Sequence, residues 1–235
     1  MSDLLFVLVH SPLVGPLTWK PVAAELELRG SQVVVPVLTR ALGAGPPYWQ
    51  RHASEVIRDI DQSQNADRLV LVGHSGAGAL LPVIGSQVRG RVAAYVFVDA
   101  SLPEDGKSRF DLFGDPGAVE ALRARAQSGL LPPWNEWFPE SALREILPDD
   151  DLRRAFRAEL TPTPLIVYEE PMPVFDGWPD APCSYLQLSP AYDAEAARAE
   201  LLGWPVARLD AGHLHMLVDP TAATDALLGL VRSVV

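Results

Sequence analysis

The sequence predicts an α/β domain in which a mostly parallel sheet carries helices on both faces. Short β-branched or aromatic runs alternate with longer segments of helical period, and the runs are apolar without alternation, as strands covered on both sides must be. The chain has 235 residues, 48% hydrophobic and 21% charged, which suits one domain with a sizeable core.

The elements follow in order. "LLFVLV" (4–9) reads as a strand, and "TWKPVAAELELRG" (18–30) as a helix with Trp19, Val22 and Leu26 on one face and Gly30 as its stop. "QVVVPV" (32–37) is the next strand. A Gly/Pro loop leads to the helix "YWQRHASEVIRDID" (48–61), and "RLVLV" (68–72) is uniformly apolar and therefore a central strand. The helix "GAGALLPVIGSQV" follows, with Pro82 expected to kink it or loosen its first turns. "VAAYVFV" (92–98) is a strand ending at Asp99.

From about Pro103 to Pro182 the rhythm gives way to helical patches and Pro/Trp-rich turns, read as an insertion over the sheet. Regular order resumes with the strand "CSYLQL" (183–188), the helix "DAEAARAELLG", the strand "PVARL" (205–209) and a helix from about Asp219. The expected organisation is a core of 1–102 and 183–235 interrupted by 103–182.

A formal net charge of −11 argues against nucleic-acid and anionic-membrane partners, which would repel an acidic field. One cysteine, Cys183, permits no intrachain disulfide and fits a cytoplasmic location. The N-terminal apolar run lacks a basic leader and is interrupted by His10, so it reads as a buried strand. A small-molecule substrate is the expected partner, with a homo-oligomer left open.

The stretch "VLVGHSGAG" carries the chemistry. A strand, a very tight turn and a helix hold a nucleophile in a strained conformation at the apex, flanked by small residues. Here Gly73, His74, Ser75, Gly76 and Ala77 occupy the Gly-X-Ser-X-Gly frame, with Ala77 in place of the last glycine and Gly78 next to it. Ser75 is the candidate nucleophile; a tight turn between small residues is the plainer reading.

A serine needs a base and the base an orienting acid. In "RLDAGHLHMLVDP", His213 follows the last expected strand and is the candidate base, while His215 points elsewhere in an extended segment and is read as packing. A metal pair at "HLH" would need a third ligand, and none is apparent in the sequence. For the acid, the chain order serine, acid, histidine favours Asp193 in "YLQLSPAYD"; its plainer role is helix capping, and Asp99 is the competitor.

On "FVLVHSPLVGPLTW", "LVGHSGAG", "YVFVDASLP" and "GHLHMLVDP" the sequence resembles the α/β-hydrolase superfamily, its opening most like the plant methyl esterase and hydroxynitrile lyase branch. The resemblance implies an α/β-hydrolase fold in which the first strand here corresponds to the third of the fold, giving a shortened sheet. It also implies an oxyanion hole formed by the N–H after the nucleophile and the N–H of X in a His-Gly-X segment. The corresponding residues here are His10, Ser11 and Pro12, and proline has no N–H. Gly76 then supplies one donor, and the second falls to Leu13 or the Ser11 hydroxyl. Losing one such donor costs about 3 to 4 kcal/mol of transition-state stabilisation.

In that superfamily the segment corresponding to 103–182 commonly forms a cap over the nucleophile. Trp134, Trp137, Phe138, Phe175 and Trp178 from it, with Pro12, Leu13, Val14 and Leu17 from the first loop, are the candidate pocket residues. Tyr168, Glu169 and Glu170 could place polar groups near the site but read more plainly as a solvated turn, His10 and His74 read as structural or helper groups, and His52 as a surface histidine. The implied activity is serine-dependent hydrolysis of an ester or thioester with an apolar moiety, which needs no metal or organic cofactor. A lyase or cyclase using His213 as acid and base, or a non-catalytic small-molecule binder, would use the same fold.

Overall fold

The first strand, β1 (Leu5–Val9), is buried along its whole length, as an unbroken LFVLV run demands of a strand covered on both faces. The computed structural model describes residues 3–63, 67–113 and 115–235; residues 1, 2, 64–66 and 114, which fall inside the expected core and insertion spans, lie outside the described residues. After β1 come a 3-10 turn (Pro16–Thr18), α1 (Lys20–Leu28), β2 (Gln32–Val34), α2 (Tyr48–Asp61) and β3 (Leu69–His74). A 3-10 segment (Ser75–Leu80) then leads into α3 (Leu81–Gln87) and β4 (Val92–Val98).

Between β4 and the next strand of the sheet lie α4 (Pro116–Arg125), β5 (Leu130–Leu131), α5 (Glu140–Ile146), α6 (Asp150–Ala158), β6 (Thr163–Pro164) and α7 (Ile166–Glu169). The chain closes with β7 (Cys183–Gln187), α8 (Asp193–Leu201), β8 (Val206–Arg208), α9 (His215–Val218) and α10 (Pro220–Val234).

Six strands form one parallel sheet in the order β2-β1-β3-β4-β7-β8, with β5 and β6 pairing antiparallel outside it. Strand alternation divides the core. Phe6, Leu8, Val70, Val72 and Val96 face α1 and α10, whereas Leu5, Val7, Leu71, Tyr95 and Phe97 face α2, α3 and α8. Each fully buried Leu, Val or Phe contributes about 1.5 to 3 kcal/mol relative to exposure, so the two faces together outweigh any single local preference. Leu131, Leu143, Leu147, Phe156 and Val167 from the long β4–β7 segment join the first of these faces.

Two local expectations are met by specific geometry. Pro82 falls in the first turn of α3, where its missing N–H removes no helical bond, and the turns before it are 3-10. β3 is central, between β1 and β4. His52 differs from its reading as a surface residue: it lies on the inner face of α2 with no exposed surface. Among the described residues neither of its ring nitrogens meets a hydrogen-bond partner, and burial pushes its pKa down to about 3. The apolar period of α2 carries His52 inward with Tyr48, Val56 and Ile60.

Candidate active site

Ser75 begins directly where β3 ends, with φ of 56°, a left-handed conformation that few side chains adopt without surrounding constraint. The constraint is close packing of the helix behind it. A Cβ on Gly78 would lie 2.3 Å from the Ser101 carbonyl oxygen, so the close-approach glycine of this turn is Gly78, and Ala77 fits in the buried space beside it. The one-residue shift explains how the motif tolerates alanine.

His213 lies in the loop between β8 and α9, and its Nδ1 bonds Asp99 Oδ2 at 2.8 Å. Asp99 is fully buried and follows β4 with φ of 44°. Its carboxylate also accepts from the N–H groups of Leu188 (2.8 Å) and Ser189 (3.0 Å) and from the Ser189 hydroxyl (2.6 Å). Four donors satisfy a carboxylate that would otherwise be costly to bury.

The acid on the imidazole is therefore Asp99, not Asp193. Asp193 is exposed in the first turn of α8, and its carboxylate accepts from the Gln187 side chain. Chain order misleads because β4 and β7 are neighbours, so the ends of both strands border the same histidine loop. His74 fixes that loop from the other side: its Nε2–H donates to the His213 carbonyl at 3.0 Å, and the two rings lie 4.5 Å apart. Burial, then the charge of His213, holds the His74 pKa well below its usual value.

Ser75 Oγ makes its side-chain hydrogen bond with the Tyr192 hydroxyl at 3.2 Å rather than with His213. The Tyr192 ring stacks on the His213 ring with centroids 5.2 Å apart and planes within 8°. Serine, imidazole and phenol thus share one corner at the carboxyl ends of β3, β4 and β7.

A family profile described as "Alpha/beta hydrolase family" matches residues 6–227. The chain belongs to the α/β-hydrolase family. It is 25% identical to a carbendazim hydrolyzing esterase of Nocardioides sp., across 96% of this chain and 98% of that protein. A chloroplastic chain of Arabidopsis thaliana carrying the name methylesterase 12 is 27% identical over 52% of this chain and 37% of its own length. Among solved structures, an extracellular α/β-hydrolase from a Paenibacillus species superposes with a TM-score of 0.77 at 22% identity, covering 97% of this chain and 98% of that one. The chain is an esterase-like α/β-hydrolase, distantly similar to the plant methyl esterase branch.

In this α/β-hydrolase a cavity of about 450 Å³ opens over Ser75 and His213. Leu13, Trp134, Trp137 and Phe138 line it as the sequence suggests. Pro12, Val14 and Leu17 do not: Val14 and Leu17 pack into the core below, and the Leu17 N–H donates to Glu159, just past the end of α6, at 2.8 Å. Trp178 lies on the opposite face of the sheet against Tyr95 and Phe97, and Phe175 sits under the Arg89 guanidinium. Period and composition place an aromatic in the insertion without telling which end of the sheet it covers.

The "VYEEP" segment is not a solvated turn. Tyr168 is buried and lines the cavity; Glu170 is buried and accepts from Tyr48 N (2.8 Å) and Trp49 N (3.1 Å) at the start of α2. Glu169 alone reaches the surface, paired with Arg123 at 2.9 Å. The α2 N-terminus has Pro47 where a capping side chain would stand, and a carboxylate 122 residues away completes it. His10 fills the structural role expected of it, donating from Nδ1 to Ser11 O at 2.8 Å and accepting the Leu38 N–H on Nε2, with burial lowering its pKa to about 4.

Sequence reasoning missed Tyr192 and Arg109. The signal for Tyr192 is its place five residues past β7, beside Asp193; nothing in "GKSRF" marks Arg109. Arg109 is buried and donates from Nε to the Gly76 carbonyl at 2.9 Å and from Nη1 to the Val167 carbonyl at 2.7 Å, joining the turn at Ser75 to α7. Among the described residues no three His, Cys, Asp or Glu side chains are grouped to hold a metal ion, and no helix is long and apolar enough to cross a membrane.

Proposed function

We propose that this α/β-hydrolase cleaves a carboxylic ester or thioester with an apolar moiety, using Ser75 as nucleophile, His213 as base and Asp99 as orienting acid. The Asp99–His213 bond beside a strained Ser75 carries the reading. With Nδ1–H donated to Asp99, the neutral imidazole keeps its lone pair on Nε2, the tautomer a serine hydroxyl needs. On substrate binding Ser75 Oγ turns from Tyr192 to Nε2 and attacks the carbonyl carbon while its proton passes to His213. That proton then goes to the leaving oxygen or sulfur, and water deacylates the serine by the same route.

The segment between β4 and β7 acts in this reading as the cap that selects substrate, since Phe113, Leu122, Trp134, Trp137, Phe138 and Tyr168 all come from it and are mainly apolar. A relative named for hydrolysing carbendazim supports a small, ring-bearing substrate class. The test is a fluorophosphonate probe read by intact mass on wild type, Ser75→Ala and His213→Ala. Labelling that requires both residues is expected; a folded wild type that takes no label would refute the activated serine.

One contact favours a second reading. With Ser75 bonded to Tyr192, His213 Nε2 is free to act directly on substrate as acid and base for a lyase step. An enzyme inert on esters whose turnover of another substrate is lost in His213→Ala but kept in Ser75→Ala would establish it.

A further inference from the structure

We propose that the Tyr168 hydroxyl is the second donor of the oxyanion hole, standing in for the N–H that Pro12 lacks. This rests on the serine-hydrolase reading above. Gly76 provides one donor, an N–H in the first turn of the helix after the nucleophile, where no intrahelical partner exists. The residues around that N–H are then the ones to inspect. A Cβ placed on Gly76 would lie 3.0 Å from the Tyr168 hydroxyl oxygen and 3.4 Å from Ser11 Oγ. The phenol therefore stands against the residue that carries the first donor, on the wall of the cavity that holds Ser75 and His213.

Leu13, the backbone alternative, has its N–H directed at Ser11 Oγ at 3.4 Å. In the proposal the local donors form a chain. Leu13 N–H donates to Ser11 Oγ, the Ser11 hydroxyl faces the Tyr168 oxygen, and the Tyr168 hydrogen is left for a ligand in the cavity. Serine thus stands at position 11, where the family has glycine, in contact with the residue that compensates for Pro12. Burial raises the Tyr168 pKa, against smaller opposing effects of Arg109 and Ser11, so the phenol stays protonated and able to donate at neutral pH.

The hydroxyl is held as a preorganised donor must be. Phe110 packs on the ring at 5.4 Å and Trp137 at 6.1 Å, the Phe110 N–H donates to the Tyr168 carbonyl at 3.0 Å, and Arg109 ties Val167 and Gly76 to one guanidinium. As the Ser75 Oγ–carbon bond forms, the carbonyl π pair moves onto oxygen and the serine proton passes to His213. Tyr168 donates a hydrogen bond to that oxygen and keeps its proton throughout.

The experiment compares wild type with Tyr168→Phe on p-nitrophenyl butyrate, and measures inhibition by an aryl trifluoromethyl ketone, whose adduct carries the oxyanion. Melting temperature is checked alongside. The expected result is a fall in kcat of roughly 100-fold or more, KM within about threefold, and ketone affinity falling by the same factor as kcat/KM. Tyr168→Phe within threefold of wild type on an active, labelled enzyme would overturn the assignment and leave serine hydrolysis standing. A folded wild type with neither label nor turnover would overturn both. Should the phenylalanine variant not fold, difluorotyrosine at 168 replaces it: kcat/KM and ketone affinity must then shift together with the more acidic donor, and no change in either refutes the role.

Discussion

Asp99 and His213 stand 114 residues apart and meet through a 2.8 Å bond that sets the tautomer of the imidazole. Replacing Asp99 with asparagine keeps the shape but presents an amide to Nδ1, which favours the wrong tautomer. The expected loss in kcat is about 10³- to 10⁴-fold, with Asp193→Asn within threefold of wild type. Steady-state rates on one ester for the two variants decide this; equal losses would refute the pairing.

Tyr192 holds Ser75 Oγ at 3.2 Å, and the proposed mechanism requires that bond to give way to one with His213. A neutral hydrogen bond contributes about 0.5 to 1.5 kcal/mol net, so if Tyr192 holds the serine only in the resting enzyme, Tyr192→Phe speeds phosphonylation by roughly two- to tenfold. The phenyl ring keeps its stack on His213 in that variant. Stopped labelling at fixed probe concentration gives the rate, and a tenfold decrease would mean that the hydroxyl serves the reaction itself.

The sheet and the tight turn at Ser75 are legible in the sequence because both depend on short-range pattern: β1, β3 and β4 are unbroken apolar runs, and the turn needs small residues at fixed offsets. The carboxylate partner of His213 is not legible, since two strand ends that are distant in sequence become neighbours only when β4 pairs with β7. Tyr168 and Glu170 read more plainly as a solvated turn for the opposite reason. Their local sequence is polar and looks wet, and the partners that bury them, Gly76 and the N-terminus of α2, come from more than 90 residues away. His52 is a polar residue in a stretch rich in charged neighbours, and only the inward face of α2 shows that it is buried.

The cavity wall supplied by α4 should govern substrate size. Leu122 is buried and faces the cavity of about 450 Å³. Leu122→Trp fills part of that space, so kcat/KM for bulky acyl or aryl esters falls by more than about tenfold while acetyl esters are spared. A uniform loss across chain lengths would point to a general distortion of α4 instead.

The buried histidines set an acid limit on stability. His52 is neutral in the folded chain, with a pKa pushed down to about 3 by burial, Arg109 and His10, against an ordinary value of 6.5. Between those values the unfolded state binds a proton that the folded state refuses, so stability is complete above about pH 6.5 and declines as pH falls toward 3. His10, lowered to about 4, adds to the same trend, and a depression of this size is worth several kcal/mol across the window, on the order of 1.4 kcal/mol per pH unit for each group. Because neither nitrogen of His52 has a partner among the described residues, His52→Leu strands no hydrogen-bonding group. The expected outcome in chemical denaturation is stability equal to or above wild type at pH 8, and a shallower decline between pH 6.5 and 4.5. An acid limb as steep as that of wild type would show that His52 is not one of the groups that must take up a proton on unfolding.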